Sequence, residues 1–534
     1  GTITARHAVF TEKQLASIVF KATDCMEEYQ LAFTKLKGHK DILPLGEKKG
    51  LMHYTTRQFF EKEAKMAKQS DTLSKRVLHK ASREQVNHIA QDKGLTDEQT
   101  IALRQMTLTK DLNVLVGRAG TGKSYMLGAA NAVWQDAGYD VMGISVSGIA
   151  TKGLAESSNI PSYTMTSFKQ KLKYDLVQLD EKSILVVDEA GMMDLHDMLM
   201  LVERTKRAGA KLVLVGDPNQ LQPIGPGAPF RVLAERHGFS ELADIYRQKD
   251  KGDKDASRAL AKGQVERALT HYKDKGALKF EDTPGSAMKA LIAEWSPNKD
   301  TIILAHQNKH VDKLNLLARE DLIKKGGLGK ESIKVVVTRE LSSPDGVSRT
   351  KETREIDITQ GERIMFRKKD KSLDVVNGDF GNITKIEGEK LHCQFDDGRK
   401  ATFNTKQFNE FDYGYAATVH KSQGITKENA FVFIDGKGWD KHLAYVALTR
   451  HKDSVKLYTN KETFKTTKDL SKTLSRGTPS DSTLDWAVSF SKRHGFNNLK
   501  ITERVKERLA QFKSITLHAM KQRSQAIEIR GLDR

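Results

Sequence analysis

Short apolar runs punctuate the chain between about Leu95 and Gln248: Asn113–Val116, Val141–Ser145, Ser183–Val187 and Lys211–Val215. Each run is followed by a longer stretch of helical character. The alternation predicts an α/β unit with a parallel sheet, because strands covered by helices on both faces carry almost no polar positions. A helical linker is expected over 251–298. A second α/β unit opens at Thr301–Ala305 and closes near Lys456–Tyr458. Within it, from about Ile356 to Phe411, the pattern changes to short strands bounded by turn signals such as Asn377-Gly378 and Asp397-Gly398. Such turns between alternating segments predict a small all-β barrel inserted in the second unit. Residues 1–94 read as helical, with Thr11 capping one helix and a second amphipathic helix over Thr56–Lys68. The last stretch, 461–534, reads as a helical extension in which basic residues outnumber acidic ones about two to one.

The composition narrows what such a chain does. At 534 residues it is too long for one core, so three or four domains are expected. With 38% apolar and 29% charged residues it reads as globular and soluble. No apolar run approaches a membrane span and no leader pattern opens the sequence, so membrane insertion is not expected and a cytoplasmic location is. Two cysteines, Cys25 and Cys393, are too few for a disulfide framework or a cysteine metal cluster. The formal charge of +19 is spread along the chain, which points to a polyanionic partner met across a folded surface, with nucleic acid the commonest.

The chemistry sits at the ends of the apolar runs. Gly117-Arg-Ala-Gly-Thr-Gly-Lys-Ser124 follows the first run and precedes a helical stretch. It fits G-x-x-x-x-G-K-S in full, so loop amides and the positive end of the following helix would cradle phosphates. Gly117, Gly120, Thr121 and Gly122 shape that cradle, Lys123 would reach the β- and γ-phosphates, and Ser124 would ligate Mg²⁺. Ile184-Leu-Val-Val-Asp-Glu189 ends an apolar strand in two acids. There Asp188 would hold Mg²⁺ through water and Glu189 would polarise the attacking water. The run Val213-Leu-Val-Gly-Asp-Pro-Asn-Gln220 ends at the same sheet edge, where the Gln220 amide would sense the γ-phosphate.

These segments, taken in order with Thr418-Val-His-Lys-Ser-Gln-Gly424 and Tyr445-Val-Ala-Leu-Thr-Arg450, resemble superfamily 1 helicases of the RecD-like branch. The resemblance implies two RecA-like P-loop domains, an SH3-like barrel inserted in the second, ATP with Mg²⁺ as cofactors, and a nucleotide between the domains. It divides the chain into 1–94, a first RecA-like domain over 95–250 with a short insertion near 168–183, the linker 251–298, a second RecA-like domain over 299–355 and 411–460 around the insertion 356–410, and the extension 461–534. By the same resemblance Gln99, in Thr96-Asp-Glu-Gln99, contacts adenine and Gly424 borders the nucleotide. Arg247, in Ile245-Tyr-Arg-Gln248, and Arg450 face the γ-phosphate as arginine fingers do. Ser147 and Lys152 in one motif, Thr166 and Phe168 in the next, and Thr418, His420 and Lys421 would contact DNA. Hydroxyls, amides and Lys152 suit phosphates, and Phe168 offers either a stacking face or a core residue.

Ala5–Glu12, Tyr54–Arg57, Leu304–His306 and Leu314-Asn315 extend the resemblance to the translocase portion of TraA-type conjugative relaxases. Those proteins nick DNA with a histidine triad and a tyrosine. His7, His39, His53, His79 and His88 are scattered here, so nicking is not expected. The expectation is an ATP-dependent 5′→3′ translocase and helicase, monomeric, acting on single-stranded and tailed duplex DNA, with conjugative transfer-machinery proteins as further partners. A standalone RecD-like repair helicase, an ATP-switched clamp that does not unwind, and an RNA substrate stay open.

Overall fold

Helix and strand are mixed from the start of the chain. A computed structural model describes residues 3–5, 7–48, 50–223, 225–297, 300–342, 349–436, 438–477 and 482–486. Thr11 caps the helix Glu12–Lys21 through a reciprocal box with Gln14, and Thr56 caps the helix Arg57–Lys75. The all-helical expectation for 1–94 is corrected by three strands, β1 (Phe10–Thr11), β2 (Ile42–Lys48) and β3 (Leu51–Thr56). They pair antiparallel in the order β1-β3-β2. The register slips between Pro44 and Gly46, and a proline and a glycine inside the segment count against a strand in sequence.

The four apolar runs become β4 (Leu112–Gly117), β5 (Asp140–Ser145), β7 (Ser183–Val187) and β8 (Lys211–Gly216). They are joined by the short β6 (Ser162–Thr164) and β9 (Ser240–Leu242). The sheet is parallel throughout, in the order β6-β5-β7-β8-β4-β9. Leu112, Val114, Leu185, Leu212 and Leu214 feed one core, while Leu115, Ile184, Val186, Val213 and Val215 feed the other. Successive side chains thus enter opposite layers, and that is why the runs lack polar positions. The helix Arg57–Lys75 covers the first of these cores with Phe59, Phe60, Met66 and Leu73. The N-terminal region therefore shares a core with the first α/β layer.

The second sheet contains β10 (Leu278–Glu281) and β11 (Thr301–Ala305). The expected linker 251–298 thus already holds an edge strand of the second unit, paired parallel over Leu278–Glu281. The chain then leaves the sheet earlier than position 356. β12 (Ser332–Ser342) and β13 (Arg349–Thr359) form a long antiparallel pair, so the expected boundary cuts through β13. There follow β14 (Arg363–Phe366), β15 (Phe380–Glu387), β16 (Lys390–Phe395), β17 (Lys400–Asn404) and β18 (Phe411–Tyr413), an antiparallel sheet in the order β17-β16-β15-β14-β18. Among the described residues its edge strands β17 and β18 do not pair with each other. The chain returns through β19 (Ala416–Thr418), β20 (Lys427–Phe433) and β21 (His451–Asn460), completing the parallel order β10-β21-β20-β11-β19.

The helix Thr467–Leu474 and a turn at Thr483–Trp486 follow. The remainder of the expected C-terminal extension, 478–481 and 487–534, lies outside the described residues. The turn docks on the N-terminal region: the buried Glu63 carboxylate accepts from Ser482 Oγ (2.9 Å) and Thr483 N–H (2.8 Å). No helix among the described residues is long and apolar enough to cross a membrane.

Candidate nucleotide cleft and strand-contact surface

The phosphate loop leaves the carboxyl end of β4 and enters the helix Lys123–Asp136. Two glycines are required there. Gly120 has φ +80°, and a Cβ on it would lie 2.4 Å from Arg247 Cβ. Gly122 caps the helix at φ +74°, with Gln99 Nε2 2.8 Å from where its Cβ would be. Gly117 likewise leaves room for the Lys123 side chain, and Thr121 Oγ1 braces the loop on the Arg118 carbonyl at 3.0 Å. Lys123 Nζ donates to the Gly117 and Arg118 carbonyls at 2.7 and 3.1 Å. Its ammonium is held over the cradle by neutral acceptors that a phosphate would replace. Ser124 lies half-buried in the first helical turn. The Gln99 oxygen accepts from Thr96 N–H, which leaves its NH₂ facing the loop beside Gly122.

Asp188 and Glu189 stand at the carboxyl end of β7. Burial, reinforced by Glu189, pushes the Asp188 carboxyl up to about 7 against the pull of Lys123. Such a site favours a cation beside the acid. Glu189 adopts φ +52°, a left-handed conformation that is costly for a non-glycine residue and clusters at functional sites. Its Oε2 accepts from Gln423 Nε2 at 3.3 Å, and the same NH₂ donates to Gln220 Oε1 at 3.4 Å. Gln220 in turn donates to Asp217 Oδ2 at 3.5 Å.

Two guanidinium groups close the cleft. Tyr246 and Arg247 both donate backbone N–H to the Gly120 carbonyl, and Arg247 Nη1 reaches the Thr449 carbonyl at 3.0 Å. Arg450, 2% exposed, donates from Nε to the Val446 carbonyl at 3.0 Å. Burial, then the neighbouring Arg450, lowers Arg247 to about 9. Burial lowers Arg450 as well, with Glu189 opposing. Among the described residues neither arginine has a carboxylate within ion-pair distance. Two like charges thus stand together with no acid to pair them, an arrangement that costs free energy unless an anion joins it.

The expected strand contacts fall on both sides of the cleft. Ser147 caps the helix Gly148–Ser158, accepting from Ala150 N–H at 3.1 Å. Thr418 caps the turn Val419–Ser422 that carries His420 and Lys421. His420 stands beside His306, 6.1 Å between ring centroids, and burial, then the neighbouring His306, lowers its pKa. Thr166 is exposed on the helix Met165–Lys173, which overlaps only the start of the short insertion expected near 168–183.

Several known proteins are similar to this chain. Residues 94–283 match the AAA domain family, and residues 341–459 match the viral superfamily 1 RNA helicase core domain. The conjugal transfer protein TraA of Rhizobium radiobacter is 34% identical over 533 residues, covering 95% of this chain and 47% of that protein. The ATP-dependent RecD2 DNA helicase of Deinococcus radiodurans is 26% identical over 368 residues, covering 68% of this chain and 48% of that protein. The chain is a RecD-like superfamily 1 helicase related to TraA. It spans about half the length of these curated relatives. A Bacteroides Pif1 bound to single-stranded DNA shares the fold, with a TM-score of 0.50 and 17% identity, covering 75% of this chain and 97% of that one.

Three sequence expectations for this RecD-like helicase change in the fold. Phe168 is fully buried in the first core, so its ring has no face to offer a base. Lys152 is ion-paired with Asp397, in the turn between β16 and β17 of the inserted sheet. Burial alone would raise the Asp397 carboxyl, but hydrogen bonds from Lys152 and Arg399 outweigh it and hold it at about 2. Gly424, at φ +83°, packs against Ile149 and Ala150 rather than against the phosphate loop. The structure also adds residues. Tyr445 OH, buried, donates to Asp217 Oδ2 at 2.9 Å and accepts from Ala119 N–H at 3.2 Å. Asp217, Gln423 and Tyr445 all lie within the sequence motifs. Only the meeting of the two domains across the cleft gives them partners.

Proposed function

We propose that this chain is the ATP- and Mg²⁺-dependent motor of a conjugative transfer protein, a single-stranded-DNA translocase that unwinds tailed duplex DNA with 5′→3′ polarity. The observation that carries the reading is the pair Arg247 and Arg450, brought together from two domains beside Glu189 with no carboxylate in ion-pair distance among the described residues. The donor set fits the cofactors: glycines that leave room for phosphates, a hydroxyl at Ser124 and the buried acid Asp188. Mg²⁺ held by Ser124 and Asp188 would neutralise charge on the phosphate oxygens. Lys123 moves from the Gly117 and Arg118 carbonyls onto the β- and γ-phosphates. Glu189 accepts the proton of the attacking water, Gln220 senses the γ-phosphate, and the two arginines stabilise the charge that spreads as the phosphoryl group transfers. Gln99 holds adenine through its free NH₂.

Closure and reopening of the cleft then shift the grip of Ser147 and Thr166 relative to that of Thr418, His420 and Lys421, which moves the strand. In this reading the inserted antiparallel sheet is an SH3-like module, the motor works as a monomer in the cytoplasm, and transfer-machinery proteins are its partners. The names of the TraA relatives support the conjugative setting, and nicking is not assigned to these residues. ATP hydrolysis measured with and without single-stranded DNA, together with unwinding of 5′-tailed and 3′-tailed duplexes, tests it. Stimulation by DNA with unwinding of the 5′-tailed substrate is expected. Hydrolysis without strand displacement would leave a clamp, and preference for the 3′ tail would reverse the assigned polarity.

A further inference from the structure

Beside the His420 turn lies a cluster of cations that the ATPase chemistry does not use. Arg339 on β12 binds Asp312 at 2.8 Å and Glu352 at 2.5 Å. Arg354 on β13 pairs with Asp412 and, at 3.6 Å, with Asp312. Arg367, just past β14, pairs with the same Asp412 at 2.9 Å. Lys421, half-buried, has no carboxylate within ion-pair distance among the described residues. Three arginines thus share three carboxylates while Lys421 adds a fourth cation, and Nε–H of both Arg354 and Arg367 is buried without an acceptor. Water is partly excluded and the positive charge exceeds the negative. An arrangement of this kind is stable only if a further anion completes it or if one cation gives up its proton.

We propose that Lys421 together with Arg339, Arg354 and Arg367 forms a backbone-phosphate site, in which a phosphodiester of the bound strand supplies the missing negative charge. The inference rests on the strand-binding reading given above and adds the hairpin β12–β13 to the DNA surface. It carries a proton-linked signature. Burial, then the field of Arg367, lowers the free Lys421 ammonium to about 7, with Arg339 adding to the effect and Asp412 and Asp312 opposing it. The remaining charged neighbours are already ion-paired, Arg354 with Asp412 and Glu352 with Arg339. Above that pH the amine is neutral in the free protein. Binding of a phosphodiester favours the ammonium, so Lys421 takes one proton from solvent as the strand binds. Burial lowers the pKa values of His420 and His306 as well, which disfavours their charged forms in the free protein.

The test uses the whole chain without nucleotide and a labelled oligo(dT), at constant ionic strength from about pH 6 to about pH 9. Affinity is expected to fall above about pH 7, approaching tenfold per pH unit. Lys421→Arg, whose guanidinium stays charged, should keep the neutral-pH affinity and abolish the decline. Calorimetry of the wild type in two buffers of different ionisation enthalpy should read uptake of about one proton near pH 8.5, and little near pH 6. Inorganic phosphate, lacking the other strand contacts, should compete only weakly and so distinguish a strand site from a free-anion site. DNA binding without proton uptake, or the same decline in Lys421→Arg, overturns this inference alone. No DNA binding at any pH overturns the strand-binding reading as well.

Discussion

Removing one hydroxyl, Tyr445→Phe, tests whether the cleft is held shut by the bonds that cross it. The ring remains in its buried seat, but Asp217 loses a donor and the Ala119 N–H loses its acceptor. A hydrogen bond to a charged group contributes about 1.5–3 kcal/mol, and an orphaned buried amide costs about 1–3 kcal/mol. Both bonds join the helix Lys441–Leu448 of the second unit to the first, so the loss falls on the closed arrangement and not on either domain alone. Taking about 3 kcal/mol from the closed state lowers its population by about 100-fold, at roughly 1.4 kcal/mol per factor of ten. On the proposed mechanism Arg450, just past the end of the same helix, must meet the phosphates for hydrolysis to occur. The ATPase kcat at saturating single-stranded DNA should therefore fall by up to about 100-fold. The phosphate cradle belongs to the first domain, so ATP affinity in a direct binding measurement should stay within a few-fold of wild type. An unchanged kcat in a folded variant would refute the reasoning, as would loss of ATP binding in step with kcat.

Other perturbations address separate parts of the molecule. Glu189→Gln keeps the contact with Gln423 but loses the base, so ATP binding should persist while hydrolysis drops by about 100-fold or more; loss of ATP binding without a folding defect contradicts the role. Asp397→Asn releases Lys152, so affinity for single-stranded DNA should rise and the log–log salt slope steepen by about one; an unchanged slope means that the ion pair does not withhold Lys152 from the strand. Burial raises Glu63 from 4.5 to about 7. Between those values the folded state holds a proton that the unfolded state has released, so stability falls as pH rises through that window, by about 3 kcal/mol in all. Glu63→Gln should flatten that slope and melt above wild type near pH 8; equal melting temperatures across the range would show that the carboxylate is accommodated by its donors.

Much of the nucleotide site is local in sequence, and that part is legible there. The loop Gly117–Ser124, the acids at 188 and 189 and the glutamine at 220 each come directly after an apolar run. A parallel strand delivers the residues beyond its last position to the carboxyl edge of its sheet, so order along the chain becomes position at the cleft. Covered strands also announce themselves by composition, which is why β4, β5, β7 and β8 can be located without knowing their partners. Elements that depend on distant pairing are not legible. β2 is hidden because Pro44 and Gly46 interrupt its sequence. β10 is hidden because only its place beside β21 makes it part of the second sheet. Phe168 could face solvent or core on its helix, and packing places it in the core. Nothing in the sequence matches Lys152 to Asp397, 245 residues away, or Tyr445 to Ala119, or Lys421 to the arginines of β12 and β13. Sequence determined which candidate groups stand at the ends of the strands; tertiary structure decided their partners, because hydrogen bonds and ion pairs act over a few ångströms and only the folded chain brings such distant residues that close.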